Sequence, residues 1–341
     1  MDIIMLIIGL LLIVAMSIIF CNALEHLGER LKISEGVTGS LFAGVGTALP
    51  ETIFPILSIF SFRQGNANNE IGIGAILGAP LMLSTLSLFI MALSVLKKRG
   101  LNGLLIIEYK GLTRDLKFFL FGYALAILTT FLQNVKFHGF LNALIAIILG
   151  ITYFLYVLLT VKDSTKLVKM GQYIRAEKRL FIERLGLNKN KTTIIIQLII
   201  ALILLIYFAR IFIESVNGIS KTYFISPFLI SLIIIPIATE LPEKINSIIW
   251  IRQGRDTLAI SNISGALVFQ GVLLPIVGIL SNNWILNKWV HLVGIIITFL
   301  AVIWINIHAK RGNVKIMHFI FNGILYFINI ILCFGIFYTG N

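Results

Sequence analysis

Residues 46–51 read Gly-Thr-Ala-Leu-Pro-Glu, and residues 238–243 read Ala-Thr-Glu-Leu-Pro-Glu. The surroundings of the two stretches repeat as well. A short loop follows each, Arg63-Gln64-Gly65 in one copy and Arg252-Gln253-Gly254 in the other. Then comes a segment of small residues, Gly74-Ala75-Ile76-Leu77-Gly78 against Ser261-Asn262-Ile263-Ser264-Gly265. Each Leu-Pro-Glu sits inside an apolar stretch long enough to cross a membrane. Proline lacks an N–H and clashes with the carbonyl one turn back, so Pro50 and Pro242 are expected to break their helices and free backbone carbonyls. A freed carbonyl at membrane depth is tolerated only where it faces protein, water or an ion.

Composition sets the class in which these motifs are read. The chain has 341 residues, 58% hydrophobic and only 13% charged. Soluble domains carry about 25% charged residues. A helix needs about 20 mainly apolar residues to span the hydrocarbon layer, and continuous runs of that length indicate helices rather than barrel strands. Ten spans are expected, at 3–24, 36–62, 70–96, 116–133, 139–161, 193–213, 225–251, 257–281, 287–308 and 315–338. The first lacks a basic leader and a small-residue cleavage site, so it reads as a span and not as a signal peptide. Cys21 and Cys333, the two cysteines, form neither a disulfide framework nor a metal-ligand spacing and read as small core residues.

Numbering the connections alternately on two faces, with the span-edge residues Lys117, Lys288 and Lys315 counted in the connections they adjoin, places 22 Lys/Arg on one face and 4 on the other. The positive-inside rule makes the basic face cytoplasmic and puts both termini outside. The net charge of +13 therefore belongs to loops and does not indicate nucleic acid. The one long connection, 162–192, carries nine basic residues and reads as a solvated cytoplasmic linker, with an amphipathic surface helix as the alternative. The expected organisation is a first five-helix repeat over 1–161, the linker over 162–192 and a second repeat over 193–341. The two motif copies lie five spans apart. Five is odd, so the second crosses the membrane in the opposite sense, which makes an inverted-topology repeat with its site near the midplane. The expected fold is thus an all-α membrane protein of about ten transmembrane helices in two inverted five-helix repeats.

The motifs bring their own chemistry. Glu51 and Glu243 follow the prolines directly, and intramembrane carboxylates are functional candidates by default. Thr47 and Thr239 lie four residues earlier, on the same face of a near-helical chain. Carboxylates, carbonyls and hydroxyls together make the oxygen-rich surroundings that a hard cation such as Ca²⁺ requires. Pro55, Pro80, Pro236 and Pro275 read as ordinary kinks, and Gly74 with Gly78 as a close-packing spacing. His26, His138, His291, His308 and His318 read as span-edge or single residues on apolar faces.

The two copies resemble the α-repeats of the cation/Ca²⁺ exchanger superfamily, which includes sodium–calcium and proton–calcium exchangers. Those repeats carry a Gly-Thr-Ser-Leu-Pro-Glu core followed by a Gly-Asn-x-x-Gly-Ser segment. The stretches Asn22 to Ile33 and Glu214 to Ile225 also resemble the polar lead-in to each repeat. The resemblance implies that Glu51 and Glu243 ligate the transported ion, with support from Thr47, Thr239 and nearby carbonyls. It adds Asn262, which keeps the second ligand position, and Glu240, which stands where the core serine would be. The chain departs from the pattern at Ala48, Ala75, Ala79 and Ala266, and in having Lys244 directly after the second glutamate.

Lys244 has two readings. Its stem could snorkel toward the cytoplasmic end, or its ammonium could pair with Glu240, four residues earlier in the order that favours a helical ion pair. The function implied is exchange of a divalent cation, Ca²⁺ first, for Na⁺ or H⁺ by alternating access in the plasma membrane. Partners are the inorganic cations and the lipid bilayer. No cofactor, nucleic acid or nucleotide is expected, since the chain has no G-x-x-x-x-G-K-[ST] motif. Two other classes stay open: a transport-inactive sensor or scaffold, and a membrane enzyme using paired carboxylates.

Overall fold

The apolar runs fold as helices because in lipid every backbone N–H and C=O must be satisfied within its own segment. A computed structural model describes residues 2–44, 52, 56, 66–132, 137–169, 174–176, 179–223, 240–281, 284, 286 and 289–338. In chain order the helices are α1 (Asp2–Leu31), α2 (Glu35–Val37, running on as a π-helical stretch, Thr38–Ala43), α3 (Asn66–Met82) and α4 (Leu88–Arg99). Then follow α5 (Tyr109–Leu128), α6 (His138–Lys169), α7 (Lys191–Tyr223), α8 (Leu241–Arg252), α9 (Asp256–Val272), α10 (Leu274–Leu280), α11 (Trp289–Lys310) and α12 (Ile316–Tyr338). Among the described residues the only bridge between extended segments joins Leu104 and Lys315.

Among the described residues, eight segments are long and apolar enough to cross a membrane, in α1, α3–α4, α5, α6, α7, α9–α10, α11 and α12. The two remaining expected spans, 36–62 and 225–251, fall largely outside the described residues. Burial separates centre from periphery. The most apolar windows of α3–α4 and α9–α10 are each 78% buried within the protein, against 25% for α1, 28% for α7 and 33% for α6. A helix that is apolar all round and buried belongs to the centre of a bundle. The peripheral helices turn large residues outward, among them Leu11, Ile147, Phe154 and Ile203.

Several expectations shift at their edges. α1 runs to Leu31 and not to 24, continuing through Gly28 as far as the turn at Lys32. α6 continues to Lys169, so the boundary expected at 161 falls inside a helix; the stretch from Lys162 to Lys169 holds neither Gly nor Pro to stop it. The only further helical piece described in the connection is a short turn, Phe181–Leu185. The kink expected at Pro275 falls at Leu273, a single residue of helical conformation between α9 and α10. Pro80 sits inside α3, and the chain then widens into a π-helical stretch, Leu83–Ser87.

Glycines let the central elements touch backbone to backbone. A Cβ at Gly265 of α9 would come within 2.2 Å of the Ser40 carbonyl oxygen. One at Gly44 would meet the Ala266 nitrogen at 2.8 Å. The π-helical stretch after α2 and α9 therefore cross as closely as two helices can, as small residues permit in membranes.

Candidate functional site

α8 begins where the sequence places its second Leu-Pro-Glu. Pro242 occupies the first turn, where its missing N–H costs nothing, and Glu243 follows in the same turn. The first helical hydrogen bond runs from the Lys244 N–H to the Glu240 carbonyl at 3.1 Å. A carboxylate in a first turn is favoured by the exposed N–H groups there. Glu240 and Glu243 are fully buried, and Lys244 is 4% exposed. The Lys244 ammonium lies 3.4 Å from a Glu240 carboxylate oxygen, so the pairing is observed and snorkelling is not.

Asn262 is drawn to the same place from α9. Its amide donates to the Glu243 carbonyl at 3.1 Å and to the Ser247 hydroxyl at 3.0 Å. Ser247 passes its own proton to the Ala259 carbonyl at 3.0 Å. With both amide hydrogens committed, the Asn262 side-chain oxygen is left buried without a hydrogen-bond partner among the described residues. A buried oxygen in that condition carries an uncompensated cost unless something else, such as a cation, meets it. Of the expected site residues, the structure thus brings together Glu240, Glu243 and Asn262, with Lys244. Glu51, Thr47 and Thr239 lie outside the described residues.

Three features escape sequence reading. Asp115 of α5 accepts hydrogen bonds from Ser40 at 3.0 Å and Ser264 at 2.7 Å, one from each crossing central element. Arg114 reaches the other Asp115 oxygen at 3.0 Å and Asp163 of α6 at 3.0 Å. An acid beside an arginine at the edge of an expected span looks like loop charge, so no sequence signal marks a buried pin. Glu25 was likewise assigned to a connection, because α1 was ended too early. The third is a pairing: His308 and His318, each at a span edge, have their rings 3.7 Å apart between α11 and α12.

The family model described as sodium/calcium exchanger protein matches residues 1–162 and 193–335. Inner membrane protein YrbG of Escherichia coli (strain K12) is 24% identical over 273 residues, covering 79% of this chain and 77% of that protein. The sodium-calcium exchanger NCX_Mj, soaked with 2.5 mM Na⁺ and 0.1 mM Ca²⁺, superposes with a TM-score of 0.68 at 20% identity, covering 97% of each chain. The H⁺/Ca²⁺ exchanger CAX superposes at 0.70 with 15% identity, covering 99% of this chain and 88% of the other. These two likenesses bear on the fold. With most of its length matched by the family model, the chain is an integral membrane protein that belongs to the sodium/calcium exchanger family, a family of exchangers and not of enzymes.

Proposed function

We propose that this protein is a secondary-active antiporter that exchanges Ca²⁺ for Na⁺ or H⁺ by alternating access. The observation that carries the reading is the wholly buried group at the head of α8. Two carboxylates, a paired ammonium and the unmatched Asn262 oxygen meet in the interior of a bundle of apolar helices. Buried charge of this kind in a membrane protein marks an ion pathway. The known ion chemistry of the NCX_Mj and CAX exchangers supports the same cargo.

In this reading Glu51 and Glu243 are the principal ligands, with Thr47, Thr239 and freed backbone carbonyls around them. Glu240 and Asn262 complete the second half-site. Residues 1–161 and 193–341 act as two inverted five-helix repeats broken at Pro50 and Pro242, joined by 162–192. The start of α8 at Leu241 supports the second break. The protein resides in the plasma membrane with both termini outside.

The test is ⁴⁵Ca²⁺ uptake into proteoliposomes under an imposed Na⁺ gradient and then a pH gradient. Glu51→Gln and Glu243→Gln each remove a charge facing a dehydrated cation, a loss of about 2–5 kcal/mol, so uptake should fall at least about 30-fold. Near-normal uptake in both variants defeats the site assignment. The Glu240–Lys244 pair favours one rival, a transport-inactive relative; a folded protein without flux under either gradient would select it.

A further inference from the structure

Between α1 and α8 lies a small cavity of about 40 Å³, lined by Cys21, Asn22, Glu25, Asn246, Trp250 and Gln253 among others. That volume holds about three or four waters, at about 10–15 Å³ each by this measure. Its wall on α8 follows a single helical stripe. Asn246, Trp250 and Gln253 stand three, seven and ten residues after Glu243, so all four share one face. Gln253 is exposed at the end of α8 and Asn246 is 1% exposed. At 1.5 Å per residue the stripe runs about 10 Å inward from Gln253 to Asn246, and Glu243 is one further turn on.

The polar groups along this stripe are incompletely satisfied. Both side-chain polar atoms of Asn246 are buried without a hydrogen-bond partner among the described residues. A buried amide in that condition costs about 1–3 kcal/mol and calls for a ligand or water. Opposite it, the Glu25 carboxylate accepts from the Trp250 indole N–H at 2.7 Å. Arg255, just beyond the end of α8, caps the same carboxylate at 3.4 Å and is held at 3.0 Å by Glu35 of α2. The two terminal guanidinium nitrogens of Arg255 are buried and form no hydrogen bond among the described residues. A guanidinium usually satisfies five donors in a rigid fork, so this one is held by charge at one side and is poorly anchored at the other.

We propose that the crevice between α1 and α8 is the route by which the cation passes between Glu243 and the face carrying the basic loops, with Glu25 as relay carboxylate and Arg255 as removable plug. The proposal rests on the antiporter reading above. A dehydrating cation needs oxygen at every step, and the crevice supplies it in order: the Gln253 amide, the Glu25 carboxylate and the Asn246 amide, one helical turn short of Glu243. In the arrangement observed Arg255 holds the Glu25 charge, so a cation and the arginine compete for one site. When Arg255 withdraws toward Glu35 it leaves the carboxylate to the ion. The route then needs no new group, only the movement of one side chain.

Cys21 makes this testable, because it is the native thiol in the crevice wall. With Cys333→Ser removing the other thiol, modification of Cys21 is followed with a cationic and an anionic methanethiosulfonate added from the basic-loop face. The expected result is preference for the cationic reagent and protection by added Ca²⁺. Arg255→Gln should raise the rate about tenfold, the shift in open population that follows from losing about 1.4 kcal/mol of closure. Glu25→Gln should abolish the cationic preference and raise the half-saturating Ca²⁺ concentration on that face several-fold. Equal rates with both reagents, or a rate indifferent to Arg255→Gln, overturns the route. The labelling is read without flux, so failure of transport would defeat the antiporter reading while leaving the crevice test intact.

Discussion

Lys244 offers the sharpest perturbation, because its partner is known and both are out of water. At 3.4 Å the ammonium and the Glu240 carboxylate attract by about 5 kcal/mol at an effective dielectric of about 20. Much of that is offset by the cost of taking both charges out of water. Removing one partner is different, for it strands the other charge: Lys244→Ala should cost about 3–5 kcal/mol. The protein can recover part of the loss only by binding a replacement cation at Glu240. Glu51, Glu240, Glu243 and Lys244 together carry a formal charge of −2, the charge that one divalent cation neutralises. Without the lysine the deficit grows by one. A monovalent ion should then enter beside the divalent one, and the Hill coefficient for Na⁺ or H⁺ in proteoliposome flux should rise by about one. If no cation takes the place, the variant should lose transport and unfold at lower temperature. Glu240→Ser with Lys244→Ala removes both charges together, and replacing a buried pair is often close to neutral. The double variant should therefore transport better than Lys244→Ala alone, with the ion dependence of the parent. Equal activity and unchanged Hill coefficients in the single and double variants would refute the idea that the ammonium substitutes for a mobile cation.

Other outcomes follow from the same geometry. Gly265→Ala places a Cβ 2.2 Å from a backbone oxygen that has no rotamer to escape by, and should destabilise the protein by about 1–3 kcal/mol in detergent melting. Asp115→Ala removes the acceptor shared by Ser40, Ser264 and Arg114 and should cost about 3–5 kcal/mol, while Asp115→Asn recovers part of it. Glu108 stands at the start of α5, outside the apolar stretch. Burial pushes its carboxyl above the ordinary range, opposed chiefly by Arg114 and reinforced by Asp115 and Asp163. A raised carboxyl favours the folded state when protonated, so its contribution is full below the ordinary glutamate value of about 4.3 and is lost as pH climbs through the raised value. Glu108→Gln should flatten that decline in a melting-temperature series. Cysteines placed near Asn217 to Lys221 should react only from outside and those in 162–192 only from the cytoplasm; the reverse pattern would overturn the orientation drawn from loop charges.

Much of the fold was legible because lipid simplifies the problem. With water absent the backbone has one cheap solution, so the length and position of apolar runs nearly specify the elements. The ends were the weak part. Helices such as α1 and α6 continue past the hydrocarbon, because Glu25 or Lys166 does not stop a helix, and a lone Gly28 in α1 costs only about 1 kcal/mol. That error hid Glu25, since an acid assigned to a loop attracts no suspicion. At the candidate site, the pairing of Glu240 with Lys244 was readable because it is local, four residues along one helix. The Asp115 pin and the contact of Asn262 with Glu243 depend on helices distant in sequence, and no periodicity announces them.

The described half-site also explains how a sequence so depleted in the family's ligands could still hold a cation. Serine hydroxyls are weak donors of electron density to an ion, and a carboxylate is a strong one. Replacing the core serine by Glu240 would by itself overcharge the interior and draw extra monovalent ions. Adding Lys244 one turn later on the same helix returns the balance while leaving two fixed dipoles and the Asn262 oxygen in place. The two departures from the family pattern therefore belong together as one change. In the proposed antiporter its physical consequence would be to move part of the cation binding from mobile ions to a covalent one. The helices around it suit that role. α9 is buried along its length and pinned at Gly265, so the geometry of Asn262 against α8 is rigidly held. A rigid frame with a built-in charge discriminates by the charge of what enters, because a monovalent ion leaves one carboxylate of the site uncompensated and a divalent ion does not.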